Sequence, residues 1–450
     1  MAKGSKPLTA LLVAFVLLAG GCTGTTPPGA TPTQVTPTPT PLPTSTPSST
    51  PVATPDKSPS PEPSNSPEEA ARAILNKMSL EEKVGQLFFI ASRTNKDGTN
   101  RLTMTEDLET LIKTCHPGGF LFFAENLDTI AQTTTFIEAI KLASRYPLFM
   151  GIDEEGGLVT RLNKATALHS TKMPDAFTIG LTGNPEFAFE AARAIGEEIK
   201  SLGFNLDFAP VADVYTNPKN KVIGKRAYGT EAEPVAKMVV QGIKGFQDVG
   251  IIPVIKHFPG HGDTLSDSHT GAAIVEQDLE RLRKVELVPF KAGIDAGTGM
   301  VMTAHVLTPG ITSNGLPATL SPEIITGLLR EELSYDGVVI TDGLEMSAVS
   351  SYFEEEEAVV KALLAGVDML LLPRDFESAY GAVFNAVQSG TISIERLDTS
   401  VLRILKLKAV YGLLDSGGEE PGNLPDPEEI LGSREHQDLA DKIRKEAGSK

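Results

Sequence analysis

One stretch of this chain, Lys256-His257-Phe258-Pro259-Gly260-His261-Gly262-Asp263-Thr264-Leu265-Ser266-Asp267-Ser268-His269, holds three of its seven histidines. Core packing does not call for such a composition. The glycines and the proline disfavour regular structure, so the stretch reads as a shaped loop following a strand. Two chemistries fit the residue types. His257, His261, Asp263, Asp267 and His269 are all possible metal ligands, although their spacing matches no zinc signature. Alternatively, Asp267 and His269 form a dyad in which the carboxylate fixes the imidazole tautomer and raises its basicity. Histidine titrates near neutral pH, so such a dyad can give and take a proton within one catalytic cycle.

Three further segments carry groups suited to the same kind of work. In Val338-Val339-Ile340-Thr341-Asp342-Gly343-Leu344-Glu345-Met346 an apolar strand ends abruptly in Asp342. An ionised aspartate at a strand tip can attack an electrophilic carbon or stabilise positive charge on it; a strand-end aspartate also commonly caps a helix. In Gly151-Ile152-Asp153-Glu154-Glu155-Gly156-Gly157-Leu158-Val159-Thr160-Arg161, Asp153 can accept hydrogen bonds from paired hydroxyls, and Arg161 adds a charged contact. Lys225-Arg226-Ala227-Tyr228-Gly229 contributes Arg226. For either arginine a surface ion pair is the plain alternative.

These side chains need a frame that brings them together. Short runs rich in Val, Ile, Leu and Phe recur at Gly85–Ala91, Gly119–Phe123, Leu148–Asp153, Phe204–Ala209, Ile252–His257, Met300–His305, Gly337–Asp342 and Asp368–Leu372. They are too short for helices, and several are apolar at nearly every position, as strands of a parallel sheet covered on both faces are. Helical spacing follows at Glu106–Cys115, Thr129–Ser144, Glu186–Leu202, Glu231–Val249, Leu279–Ala296, Pro322–Glu332, Glu354–Ala365 and Ser393–Tyr411, more weakly at Ser378–Val387. The alternation predicts an α/β fold, a single (β/α)8 TIM-type barrel, with a doubly wound open sheet as the other candidate. Asp153, Asp207, Lys256, His257, His305 and Asp342 all fall at, or close to, the C-terminal ends of predicted strands. Only a closed barrel gathers so many strand ends at one mouth.

The barrel is expected over residues 68–415, followed by a short tail, 416–450, too short for a second domain. Residues 1–22 read as an export signal: Lys3 and Lys6 precede an apolar run, and Leu18-Ala19-Gly20-Gly21-Cys22 resembles a lipobox in which Cys22 is lipidated. An ordinary secretory signal with an incidental cysteine is the alternative. Residues 23–67 are almost all Thr, Pro and Ser and cannot bury enough surface to order, so they read as a disordered tether. These features predict an exported protein, lipid-anchored on the outer face of a bacterial cell membrane. If Cys22 carries lipid, Cys115 has no disulfide partner, because the chain has two cysteines. The formal net charge of −18 argues against nucleic acid as a partner.

Taken together, K-H-F-P-G-H-G-D-T-x-x-D-S-H, G-I-D-E-E-G-G, N-L-D-F-A-P-V-A-D-V (Asn205 to Val214), K-R-A-Y-G and T-D-G-L-E-M resemble the glycoside hydrolase family 3 barrel in its β-N-acetylglucosaminidase branch, over nearly the whole folded region. The resemblance implies that Asp342 is the nucleophile, His269 the acid/base and Asp267 its partner. It implies that Asp153, Arg161, Arg226, Lys256 and His257 hold the N-acetylglucosamine. The implied activity is a retaining, exo-acting β-N-acetylhexosaminidase that hydrolyses terminal β-linked N-acetylglucosamine in cell-wall or amino-sugar glycans, without metal or organic cofactor. Broad β-glucosidases of the family usually draw their acid/base from a second domain; the resemblance implies that the D-S-H dyad takes that part here. A β-glucosidase or β-xylosidase of the same fold and a non-catalytic wall-binding lipoprotein are the alternatives. A histidine acid/base also repels anions less than a carboxylate would, which leaves room for a phosphorylase side activity. The chain has no tryptophan, so stacking on sugar rings falls to Phe, Tyr or Met.

Overall fold

The computed structural model describes residues 66–264, 273–313, 315–414 and 424–449. The export signal, Cys22, the tether up to residue 65, Asp267 and His269 lie outside the described residues; Ser66 and Pro67, read as the end of the tether, instead cap and open a helix, Pro67–Leu75.

Eight parallel strands form one sheet in chain order: β1 (Phe88–Ile90), β2 (Gly119–Phe122), β3 (Phe149–Ile152), β4 (Leu206–Asp207), β5 (Ile252–Phe258), β6 (Met300–Thr303), β7 (Val338–Ile340) and β8 (Leu370–Leu371). β8 pairs with β1, Phe88 opposite Leu370. The last gap, between β7 and β8, is bridged at Ile340 and Met369, with Met369 N donating to Val339 O at 3.0 Å. The result is an α/β fold with an eight-stranded, nearly closed TIM-type barrel. Every residue of these strands is buried. That explains the unbroken apolar runs, since helices cover one face and the barrel interior the other.

Size complementarity fills the interior. Phe89 of β1 packs edge to face on Phe208, their centroids 5.2 Å apart. A methyl group on Gly119 or Gly151 would come within 2.6 Å or 2.7 Å of the Phe89 ring, so β2 and β3 carry glycine where β1 sends a large side chain inward.

Helices at Glu106–Cys115, Ile130–Ala143, Glu186–Ser201, Ala232–Asp248, Glu355–Ala365, Phe376–Gln388 and Ile394–Val410 lie within a residue or two of the sequence expectation. Three segments differ in type, continuity or winding. The expected strand at Gly85 starts only at Phe88, because Ser79 and Glu82 form a reciprocal capping box that winds Leu80–Gln86 into a helix. The expected helix Leu279–Ala296 is two, Leu279–Lys284 and Leu287–Asp295. Pro289 has no N–H and is tolerated only in a first turn, so the chain restarts its helix just before it. The segment Glu323–Glu332 winds more widely, with Leu333 N donating to Leu328 O at 3.0 Å. Near the C-terminus a helix to which the sequence reading assigned no element, Arg434–Gly448, packs against Ala176–Leu181 and Glu186–Ser201.

Candidate active site

The densest polar contacts sit at the C-terminal ends of β3, β5 and β7, on one barrel face. The register between β5 and β6 slips between Ile255 and Phe258, so Lys256 and His257 occupy a bulge. A bulge re-aims side chains out of strict alternation. Lys256, almost fully buried, extends its ammonium between two carboxylates, 3.0 Å from Asp153 Oδ1 and 2.6 Å from Glu155 Oε1.

The loop after β3 supplies those carboxylates and folds back on itself. Gly156 and Gly157 have φ of +81° and +58°, in the left-handed region where side chains are strained. Glu154 is bound within its own loop, where its Oε2 accepts from the amides of Arg161 at 2.7 Å and Leu162 at 3.0 Å. That grip places the Arg161 guanidinium on Asp153, with Nη2 3.0 Å from Oδ2. Burial pushes the Glu154 carboxyl up to about 7. Burial likewise raises Asp207, at the end of β4, well above the ordinary range; its Oδ1 accepts from Glu154 N at 2.9 Å.

Arg226, in the loop after β4, grasps Glu155 with two parallel hydrogen bonds, Nε to Oε2 at 2.9 Å and Nη2 to Oε1 at 2.8 Å. Its Nη2 also lies 3.2 Å from His257 Nε2. The other ring nitrogen of His257 meets Asp213 Oδ2 at 2.7 Å. Asp213 is fully buried and also accepts from the His261 amide at 2.6 Å. A line of groups therefore runs from Arg161 through Asp153, Lys256, Glu155 and Arg226 to His257 and Asp213, with charge alternating from Arg161 to Arg226.

Burial alone would neutralise these groups, and their mutual attraction prevents it. For Asp153 the burial penalty is outweighed by Lys256 and Arg161, and the carboxyl lies far below its usual range. For Glu155, Arg226 and Lys256 outweigh burial and hold the carboxyl at about 2. Lys256 titrates above its ordinary value, because Glu155 and Asp153 overcome its desolvation.

Asp342 follows β7. Its backbone N–H donates to Thr303 O on β6 at 3.2 Å, and its Oδ1 accepts from Gly343 N at 2.8 Å. His305 braces the turn, with Nε2 donating to Gly343 O at 3.0 Å and Nδ1 facing Thr319 Oγ1 at 2.9 Å. Burial raises the Asp342 carboxyl. The imidazoles of His257 and His305, the Gly343 amide and the Lys256 ammonium more than offset this, so the group titrates below its ordinary value and is ionised at neutral pH. At the rim Phe123 lies between two cations, the Arg93 guanidinium 3.8 Å and that of Arg161 5.4 Å from its centroid, and Arg93 pairs with Glu345 at 2.5 Å.

The structure thus brings together Asp153, Arg161, Arg226, Lys256 and His257, with Asp342 beside them. Both arginines do form ion pairs, but part-buried ones within the site. Sequence reasoning missed Glu155, the shared partner of Lys256 and Arg226, and Asp213, which holds His257. Both stood inside segments that drew attention, but sequence does not tell which of three successive acids faces the mouth. Among the described residues no group of three or more His, Cys, Asp and Glu side chains is arranged to hold a metal ion.

Residues 79–407 match the model of the glycosyl hydrolase family 3 N-terminal domain. The chain is 37% identical over 334 residues to a β-hexosaminidase A of Pseudoalteromonas piscicida, covering 68% of this chain and 55% of that protein. It is 30% identical over 378 residues to a β-N-acetylglucosaminidase/β-glucosidase of Cellulomonas fimi, covering 81% of this chain and 64% of that one. It thus spans less than two thirds of the length of either relative. Among solved structures, a family 3 β-N-acetylglucosaminidase from Paenibacillus sp. str. FPU-7 superposes with a TM-score of 0.75 at 40% identity, covering 82% of this chain and 69% of that one.

Proposed function

Because this chain belongs to glycosyl hydrolase family 3, we propose that it is an exo-acting β-N-acetylglucosaminidase that releases terminal β-linked N-acetylglucosamine with retention of configuration. The observation that carries this reading is the buried line Arg161–Asp153–Lys256–Glu155–Arg226 beside an ionised Asp342. Neighbouring hydroxyls of a sugar ring both donate and accept hydrogen bonds. Asp153 accepts, Lys256 and Arg161 donate, and their mutual pairing fixes all three before the sugar arrives.

In the proposed mechanism His269, oriented by Asp267, gives a proton to the glycosidic oxygen. An Asp342 oxygen bonds to the anomeric carbon as the bond to the leaving group breaks. His269 then takes a proton from water, whose oxygen attacks the same carbon and frees Asp342. Two inversions give net retention. The β-hexosaminidase and β-N-acetylglucosaminidase names of the relatives support the amino-sugar substrate. The double name of the Cellulomonas relative favours a second reading, in which β-glucosides are also cleaved.

We further place the enzyme outside the cell, tethered through a lipid on Cys22 and acting on wall or amino-sugar glycans. Cys22→Ala should release it into the medium, and retention of the variant on membranes would remove the anchor. For the activity, kcat/KM is compared on the nitrophenyl β-glycosides of N-acetylglucosamine, glucose and xylose, and NMR identifies the first-formed anomer. The amino sugar is expected to lead by about tenfold or more, with the β-anomer appearing first. A lead for glucose or xylose would reassign the substrate, an α-anomer would overturn retention, and no release from any of the three would favour a binding-only protein.

A further inference from the structure

The loop from Gly156 to Arg161, which carries Arg161 to Asp153, also lies against a second segment, Ser170–Asp175. Gly157 N donates to Met173 O at 3.0 Å. A methyl group on Gly156 would come within 2.9 Å of Pro174 O, and one on Gly157 within 2.4 Å of Asp175 Cβ, so the two segments are flush. Asn163 Nδ2 donates to Thr171 O at 3.3 Å, and Ser170 Oγ to Asn163 Oδ1 at 3.1 Å.

That second segment is itself held from behind by Glu198, a buried carboxylate on the helix Glu186–Ser201. The Thr171 amide lies 3.2 Å and 3.1 Å from the two Glu198 oxygens. Oε1 also accepts from Gly432 N at 3.0 Å and faces His436 Nδ1 at 3.2 Å. His436, in the first turn of the helix Arg434–Gly448, is buried; its Nε2 meets Glu197 Oε2 at 2.9 Å. Burial lowers the His436 imidazole, but a carboxylate at each ring nitrogen more than offsets this, so the ring holds a proton above its ordinary value. From the same helix Arg444 donates to Lys172 O. One buried carboxylate therefore joins the C-terminal helix to the segment behind Arg161.

We propose that the C-terminal helix is a clamp on the sugar-binding loop: through His436 and Glu198 it fixes Ser170–Asp175, and through that segment it sets Arg161 on Asp153. His436, Glu198 and Arg444 are positioning residues, acting through the loop rather than on the sugar. This assignment rests on the proposed glycosidase activity, because it takes Asp153 and Arg161 as sugar contacts.

The test uses full-length His436→Ala and Arg444→Ala with two readouts: amide hydrogen exchange at Gly157 and Thr171, and steady-state kinetics on nitrophenyl β-N-acetylglucosaminide. Arg161 acts on the bound sugar before and during reaction alike, so loosening it weakens uniform binding and raises KM with little change in kcat. His436→Ala is expected to raise KM about tenfold with kcat within about threefold, and Arg444→Ala to raise KM about threefold. Both amides should exchange faster. Wild-type KM in both variants, or a fall in kcat at constant KM, would overturn the clamp. If the wild type cleaves no amino sugar, the proposed function fails, and exchange alone decides the clamp: wild-type protection at Gly157 and Thr171 in His436→Ala would refute it. If His436→Ala does not fold, Arg444→Ala, altered at a half-exposed surface side chain, carries the same two readouts.

Discussion

Replacing Glu155 by glutamine removes the charge on which the site is balanced. Along the line from Arg161 to Arg226, three positive charges (Arg161, Lys256 and Arg226) meet two negative ones (Asp153 and Glu155), and the variant leaves one negative charge among the three. Glu155 and Lys256 are nearly buried, at 5% and 2% exposure. The amide has nearly the same shape, but an NH2 group replaces one carboxylate oxygen. Whichever way it turns, it points a donor at Arg226 Nε or at Lys256 and Arg226 Nη2. The size of the loss follows from linkage. A carboxyl drawn from 4.5 to about 2, at about 1.4 kcal/mol per pH unit, contributes about 3 kcal/mol of stability. Breaking a buried pair costs about 3–5 kcal/mol by mutational experience, in agreement. The sign fixes the window: the folded value is depressed, so the contribution is full above pH 4.5 and is lost as pH falls towards 2. Urea unfolding at pH 7 should therefore find Glu155→Gln less stable by about 3 kcal/mol, with the gap closing as the pH is lowered below 4.5. Equal stability at pH 7, or a gap that does not narrow in acid, would refute the claim that Glu155 is ionised and paired in the folded protein.

Lys408 should behave in the opposite sense. It is fully buried, bonded to Gln86 Oε1 at 2.8 Å and 4.9 Å from the Phe149 centroid, and burial draws it down to about 7. A base with a depressed folded value destabilises most below that value, and stability recovers as pH rises towards 10.5. The penalty at pH 7 is about 4 kcal/mol, and leaving the Gln86 oxygen unpaired returns about 1–3 kcal/mol of it. Lys408→Met is therefore expected to be more stable than wild type by about 2 kcal/mol at pH 7 and to lose that lead by pH 10; a less stable variant at pH 7 would mean that the ammonium is charged and well paired. Gly157→Ala puts a methyl group at positive φ and against Asp175. It should cost at least about 1–2 kcal/mol in urea unfolding and raise KM more than it lowers kcat; unchanged KM would show that the loop shape does not bear on the sugar.

Much of the barrel was legible because parallel strands buried on both faces have to be apolar throughout, and because the run stops where the strand reaches the mouth. Asp153, Lys256 and Asp342 stood out as polar residues at such ends. Their gathering with Arg161, Arg226 and His257 follows from closure. The strands at Leu206–Asp207 and Leu370–Leu371 are shorter than read, since an apolar run also covers buried residues flanking the ladder. Glu155 and Asp213 were hidden because their roles depend on which way a turn aims its acids, which Gly156, Gly157 and the grip of Glu154 decide. The helix Arg434–Gly448 was hidden by its charge: its buried contacts include His436, Ala440 and Ile443, and one of them is an ion-paired imidazole.

The central claim is that Asp342 is the nucleophile at a site built for N-acetylglucosamine. The most direct measurement is kcat/KM on nitrophenyl β-N-acetylglucosaminide for the full-length protein and for Asp342→Asn, with folding of the variant checked by urea unfolding. Wild-type turnover that falls by at least about a thousandfold in a folded Asp342→Asn variant is the expected result. A folded variant that keeps near wild-type turnover would contradict the claim.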